Sequence, residues 1–190
     1  MMNEKTFLFS LEGEESERLL FRKVTDDDRV HWIKFCSSPD SLKYVFPSND
    51  QDYQPEESCS IWFDKVFHRY ANELGGMNAL IHKTKGAFIG QCGLLIQTID
   101  DIEELEIGYS MMPEHRNHGY ASEAARKCRD FAFENGFRDS LISVIHIENT
   151  ASQKVAEHNG MKREKQTISK GDPVYIYRIS RAEWEELQQQ

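Results

Sequence analysis

Apolar positions along this chain alternate between strand-like and helix-like spacing, and the switches mark the elements. Ser16 to Val24 (SERLLFRKV) is dense in aliphatic and aromatic residues and reads as a strand. Thr25-Asp26-Asp27-Asp28 then supplies an N-cap and an acidic first turn. The helix that follows is expected to bury Val30, Ile33 and either Trp32 or Cys36, and to stop at Ser38-Pro39-Asp40. Residues 41–54 have no period and read as irregular, and residues 1–15 as a loosely ordered lead-in. Pro55-Glu56-Glu57 opens a second helix, with Ile61, Trp62, Val66 and Tyr70 recurring at helical intervals and Gly75-Gly76 as its stop.

Met77–Lys83 and Ala87–Thr98 form a predicted hairpin around Thr84-Lys85-Gly86. An acidic turn, Asp100 to Glu103, leads into a strand over Glu104–Met112 that Pro113 closes. Gly119–Asn135 is the clearest helix, with Ala121, Ala124, Ala125, Cys128, Phe131 and Ala132 on one stripe and Asn135-Gly136 as its stop. Leu141–Ile147 is nearly continuous β-branched sequence, as in a strand covered on both faces. Asn149 caps a short helix through His158. Strands around Lys162–Ser169 and Val174–Ser180 follow, and Arg181–Gln190 reads as a short, fraying helix. The order β-α-α-β-β-β-α-β-α-β-β predicts an α/β fold: one mixed sheet of about seven strands, its central pair parallel, flanked by four main helices.

Composition narrows the class. At 190 residues the chain suits one full-sized domain and is short for two, and no Pro/Gly/Ser-rich linker divides it. The net charge of -9 argues against a broad basic footprint for nucleic acid, though a small phosphate pocket can oppose the global field. No apolar run approaches the ~20 residues of a membrane span, and the N-terminus lacks a secretory pattern, so a cytoplasmic location is expected. Cys36, Cys59, Cys92 and Cys128 are scattered and read as reduced thiols, and the histidines share no metal-ligand spacing.

The chemistry concentrates between Leu105 and Met161. Arg116-Asn117-His118-Gly119-Tyr120-Ala121 passes directly into the clearest helix. A loop of this kind leaves N–H groups unpaired at a helix N-terminus, where the macrodipole also favours an anion, so a phosphate site is plausible here.

These residues carry a family resemblance. Arg116-x-x-Gly119-x-Ala121 resembles the Arg/Gln-x-x-Gly-x-Gly/Ala motif of the GNAT superfamily of acyl-CoA N-acyltransferases. Within it the chain is similar to the ribosomal-protein-alanine (RimJ/RimL-type) acetyltransferases, through Glu106-Ile107-Gly108-Tyr109, Pro113-Glu114 and Ala121-x-Glu123-Ala124. Asn149-x-x-Ser152-x-x-Val155 followed by Asn159-Gly160-Met161 matches a second motif about thirty residues later, and Glu17 to Arg22 and Ala182-Glu183-Trp184 extend the likeness over essentially the whole chain.

The resemblance implies acetyl-CoA as cosubstrate and no metal. It implies that the amides of Asn117, His118, Gly119, Tyr120, Ala121 and Ser122 hold the pyrophosphate, with Arg116 and His118 as cationic contacts. The strand carrying Met111 and Met112 would splay from the next one and pair its backbone with the pantetheine arm. Glu106 is the implied general base, with Glu104, two residues along on the same face, as rival. The tyrosine that many of these enzymes use as acid is replaced by Ala156, which leaves Ser152 as substitute, with Asn149 near the cofactor. For Asn149 and Ser152 the plain alternatives are an N-cap and a helix-start serine. Tyr44, Phe46, Trp62 and Phe63 would shape the acceptor groove, or simply pack the core. The acceptor would be a protein N-terminus or a small amine, with no nucleic-acid or membrane partner, and a homodimer is possible. The competing reading is a CoA-binding regulatory or scaffold protein of the same fold. A nucleotide site has little support, since Gly-Lys-Ser/Thr and Gly-x-Gly-x-x-Gly are both missing.

Overall fold

The computed structural model describes residues 7–46 and 53–189. Among these residues seven strands form one sheet in the order β1-β2-β3-β4-β5-β7-β6. They are β1 (Leu19–Lys23), β2 (Gly75–His82), β3 (Phe88–Ile99), β4 (Ile102–Met111), β5 (Ser140–His146), β6 (Lys162–Ser169) and β7 (Asp172–Ser180). The helices are α1 (Arg29–Cys36), α2 (Pro39–Leu42), α3 (Pro55–Ala71), α4 (Tyr120–Glu134), α5 (Thr150–His158) and α6 (Arg181–Gln188). Every neighbouring pair is antiparallel except β4 and β5, which run parallel. The mixed sheet and its parallel centre agree with the sequence pattern.

Two apolar layers sandwich the N-terminal half of the sheet. On one face α4 turns Ala124, Ala125, Cys128 and Ala132 against Leu94, Leu105 and Ile107, small side chains that let the helix sit close to the strands. On the other, Trp32 and Phe35 of α1 meet Cys59, Phe63 and Val66 of α3 over Ala79 and Phe88. At roughly 1.5–3 kcal/mol for each large side chain buried, these layers supply most of the drive for the fold. Tyr109 belongs to the α4 side, so alternation places Glu104, Glu106, Gly108 and Ser110 on the opposite face of β4.

Several local expectations change. Val30 is 60% exposed. The buried Asp28 sets the phase of α1 by receiving both Arg22 guanidinium nitrogens (2.8 and 2.6 Å) and the Thr25 N–H. The buried stripe becomes Asp28, Trp32, Phe35 and Cys36, and Val30 falls opposite. Pro39 does more than stop α1: it occupies the first turn of α2. Gly75 and Gly76 do not end α3 but begin β2, where a Cβ on Gly75 would lie 2.1 Å from the Leu94 carbonyl oxygen. The β3–β4 connection is a tight two-residue turn with Asp100 and Asp101 both at positive φ (49° and 64°).

The described residues nearest both termini are better anchored than the sequence suggests. Residues 1–6 lie outside the described residues, but Phe7 stacks on Tyr70 at 4.0 Å and the buried Leu11 donates its N–H to Asn78 Oδ1. α6 has a capping box between Ser180 and Glu183, and its Trp184 stacks on Phe133 and donates to Asp130. Among the described residues no helix is long and apolar enough to cross a membrane.

Candidate active site

The parallel pair at the centre of the sheet barely forms. β4 and β5 share a single register pair, Glu106 opposite Ile142, and then part. Where they part, side chains take over from the backbone ladder. Ser143 Oγ donates to the Ile107 carbonyl at 2.9 Å, and the Val144 N–H reaches Glu106 Oε1 at a long 3.4 Å. Farther along, the buried Tyr109 hydroxyl donates to the Ser152 carbonyl at the start of α5 (2.9 Å). Burial pushes the Tyr109 phenol well above its ordinary pKa, so it acts as a donor and not as a phenolate.

Successive residues of a strand turn their backbone groups to opposite edges. Ile107 faces β5 through the Ser143 bond, whereas the Met112 N–H donates to Ile89 O on the β3 side. Tyr109 and Met111 therefore present backbone to the gap, and Met112 does not. The Met111 carbonyl is taken by Arg116 Nε at 3.2 Å, which leaves its N–H toward the opening. Both methionine side chains are buried in the core.

At the end of β4 the chain passes through a single turn (Pro113–His115) into the loop. Asn117 (φ 61°) and Gly119 (φ 81°) both adopt left-handed backbone, and Gly119 is the N-cap of α4. Gly119 offers no side-chain acceptor, so the first-turn amides of α4 stay free for an external anion. Asn117, His118 and Gly119 are exposed, and Ala121 and Ser122 are half-buried. His118 Nδ1 lies 2.6 Å from the Arg116 carbonyl, and its ring stacks beside Tyr120.

Arg116 does not sit as the sequence suggests, and Arg18, to which the sequence assigned no role, lies at the loop. The Arg116 side chain turns inward, where Nη2 donates to Ser41 Oγ at 2.6 Å and burial lowers its pKa. Arg18, from the residue before β1, stands at the loop instead. Its Nη1 donates to the His118 carbonyl (3.0 Å), its guanidinium lies over the Tyr120 ring, and a Cβ on Gly119 would sit 3.4 Å from its Nη2. Glu123 of α4 holds it there, accepting from Arg18 Nε (2.6 Å), the Arg18 N–H (2.7 Å) and Ser16 Oγ. Burial alone would raise the Glu123 carboxyl, but these donors outweigh it and keep it below the usual range. Arg18 and Glu123 are 105 residues apart, and no local pattern in the sequence links them.

The two candidate carboxylates also diverge. Glu104 is gripped bidentately by Arg178 (2.6 and 3.1 Å). Among the described residues Glu106 has no such cation. Gln97 Nε2 donates to its Oε2 at 2.7 Å, and it keeps partial exposure although protein crowds its carboxylate. That desolvation raises its pKa above the usual carboxylate value, against the opposing pull of Gln97, Lys170, the Val144 N–H and Arg69. A carboxylate whose pKa is raised by desolvation holds a proton more readily than an ordinary one, which suits a proton acceptor.

At the far bank, Asn149 Oδ1 accepts the Ser152 N–H (3.1 Å), so Asn149 is the N-cap of α5. Ala156 is buried in the core cluster on the α4 side of the sheet. Over the gap runs the α2 segment: Ser41 meets Arg116 on one side, while Tyr44 reaches the Glu148 carbonyl (3.4 Å) and packs on His146 on the other. Phe46 and Phe63 are core residues, and Trp62 donates to the buried Gln91. Residues 47–52 of the expected groove wall lie outside the described residues. Among the described residues no group of three His, Cys, Asp or Glu side chains could hold a metal ion.

This arrangement can be compared with known proteins. The family model for the acetyltransferase (GNAT) domain matches residues 18–162. The uncharacterized protein YkkB of Bacillus subtilis (strain 168) is 32% identical over 180 residues, covering 93% of this chain and 96% of its own. The crystal structure of the acetyltransferase from Agrobacterium tumefaciens str. C58 superposes with a TM-score of 0.73 at 26% identity, covering 93% of this chain and 99% of its own. A structure of RimL, a ribosomal L7/L12 alpha-N-protein acetyltransferase in complex with coenzyme A, shares the fold with a TM-score of 0.68 at 15% identity, covering 87% of this chain and 95% of its own. A loop, a splayed strand pair and a capped helix in this order, together with these matches, lead to one conclusion: the chain belongs to the GNAT acetyltransferase family.

Proposed function

We propose that the protein transfers an acetyl group from acetyl-CoA to a primary amine by direct attack, the donor and acceptor bound together. The observation that carries this reading is the position of Glu106, a desolvated carboxylate with no ion-pair partner among the described residues, where β4 and β5 separate. The residues present fit the donor. The free first-turn amides of α4, with Gly119 in left-handed backbone and Arg18 alongside, would receive its phosphates. The gap-facing backbone of Tyr109 and Met111 would receive its pantetheine amides. When bound, acetyl-CoA supplies the thioester.

The chain's own groups do the rest. A primary amine near neutral pH is mostly protonated, and Glu106 takes its proton directly or through water. Ser152, at the first turn of α5 and fixed by Asn149 and Tyr109, is the candidate donor to the departing thiolate. Ala156 cannot serve, and a thiol leaves readily enough for a weak acid to suffice. The acceptor is a protein N-terminus or a small amine, the former being the acceptor class named for RimL.

The competing reading is a CoA-binding regulatory or scaffold protein, favoured by Ala156 in place of the usual tyrosine. Acetyl-CoA consumption across a panel of peptides and small amines tests both. Acceptor-dependent release of CoA that E106Q abolishes supports the enzyme. Tight acetyl-CoA binding with no release for any acceptor supports the alternative.

A further inference from the structure

We propose that Gln97 is a positioning residue for Glu106: its side-chain amide fixes the carboxylate at the point where β4 and β5 part. The inference rests on the reading of Glu106 as the base and adds the residue that orients it.

Gln97 lies on β3 opposite Glu104, which makes it the diagonal neighbour of Glu106 on the same sheet face. Its Nε2 donates to Oε2 at 2.7 Å, while the Val144 N–H, released by the splay, approaches Oε1 at 3.4 Å. Both carboxylate oxygens are thus addressed, one strongly and one weakly, from strands on either side of β4. The other charged groups nearby stand off. Arg69, on α3, spends Nη1 on the Leu74 and Ile96 carbonyls. Lys170, in the β6–β7 turn, acts on Glu106 only through its field. Arg178 is engaged by Glu104 and Glu164.

The residue type matters. A cation at position 97 would lock Glu106 as an ion pair, as Arg178 locks Glu104, and weaken it as a base. A neutral amide holds the ionised form in place without neutralising it. It also carries both donor and acceptor atoms, so by turning over it can stay bonded once the carboxyl has gained a proton. Gln97 is half-buried, so substitution there does not open the core.

The test follows the Glu106 carboxyl directly, by carbon NMR titration of the full chain, with its resonance assigned through E106Q. Loss of the donor in Q97L should shift the Glu106 midpoint upward. Q97E should shift it further, because two carboxyls within hydrogen-bond reach share a proton. In turnover with acetyl-CoA and the best amine of the panel, the acid limb of kcat/KM should move by the same amount. A midpoint unchanged in Q97L overturns the inference. If Q97L does not fold, an unshifted midpoint in Q97E overturns it equally. A midpoint that moves while the acid limb stays put leaves Gln97 as the partner that positions Glu106 and removes Glu106 as the base.

Discussion

Glu104 and Glu106 project from the same face of β4, one strand step apart, and the fold gives them opposite surroundings. Arg178 clamps Glu104 with two nitrogens, while Glu106 meets the neutral amide of Gln97. One carboxylate is therefore tied into the β4–β7 region as an ion pair, and the other is left able to exchange a proton. E104Q should lower stability by about 1–3 kcal/mol in denaturant unfolding, because Arg178 loses its two-nitrogen carboxylate partner and keeps only Glu164 and Ser140, and should leave proton transfer intact. E106Q should do the reverse: folding preserved and acceptor-dependent CoA release lost. Similar activity losses in both variants would contradict this division.

The raised pKa of Glu106 has a thermodynamic sign. Its folded-state pKa lies above its unfolded one, so its contribution to stability is fully present at low pH and is lost as pH rises through the folded value. E106Q removes that penalty. Thermal unfolding should show the variant melting above the wild type at neutral and alkaline pH, with the gap closing in acid. A variant less stable than wild type at every pH would speak against desolvation as the dominant effect.

Glu123 has the opposite sign. Its pKa is held down, so the stability it provides is present above the unfolded carboxylate value and lost as pH falls through the depressed one. E123Q should be destabilised at about pH 7, with the difference from wild type narrowing in acid. It should also bind CoA more weakly, because Arg18 loses the partner that holds it beside Gly119. Calorimetric titration with CoA checks the second effect.

At Gly119 the backbone alone is at stake. An alanine there must occupy the left-handed region at a cost of about 1–3 kcal/mol, or release the loop from it. G119A should weaken CoA affinity by roughly tenfold, equivalent to ~1.4 kcal/mol. The effect should appear in direct binding, not only in turnover. Unchanged affinity would move the anion site away from this N-terminus.

Which parts of this were legible in the sequence follows from how local each cause is. The strand–loop–helix from Leu105 to Glu134 declared itself through alternation, Pro113, Gly119 and a small-residue stripe, all within one window. The assignment of Glu104 and Glu106 did not, because it depends on Arg178, 74 residues on, and Gln97 on another strand. The phase of α1 is not legible for a similar reason: apolar spacing alone favours Val30, but the buried polar Asp28 sets the turn. Gly75-Gly76 looked like a helix stop because closeness to Leu94 and Tyr70 is a property of the sheet. The four cysteines, scattered in sequence, are all free and buried, and Cys92 and Cys128 converge to 3.4 Å between β3 and α4.

The α2 segment bears on the gap beneath it. Ser41 is tied to the bank that ends in Arg116, while Lys43 and Tyr44 are tied at Glu148 to the bank that ends in α5. Four residues therefore act as a spacer between two strands that no longer hydrogen-bond to each other. The two banks are joined across the gap by a segment outside the sheet, so a change confined to Ser41, Lys43 or Tyr44 would loosen one bank from the other without touching a strand.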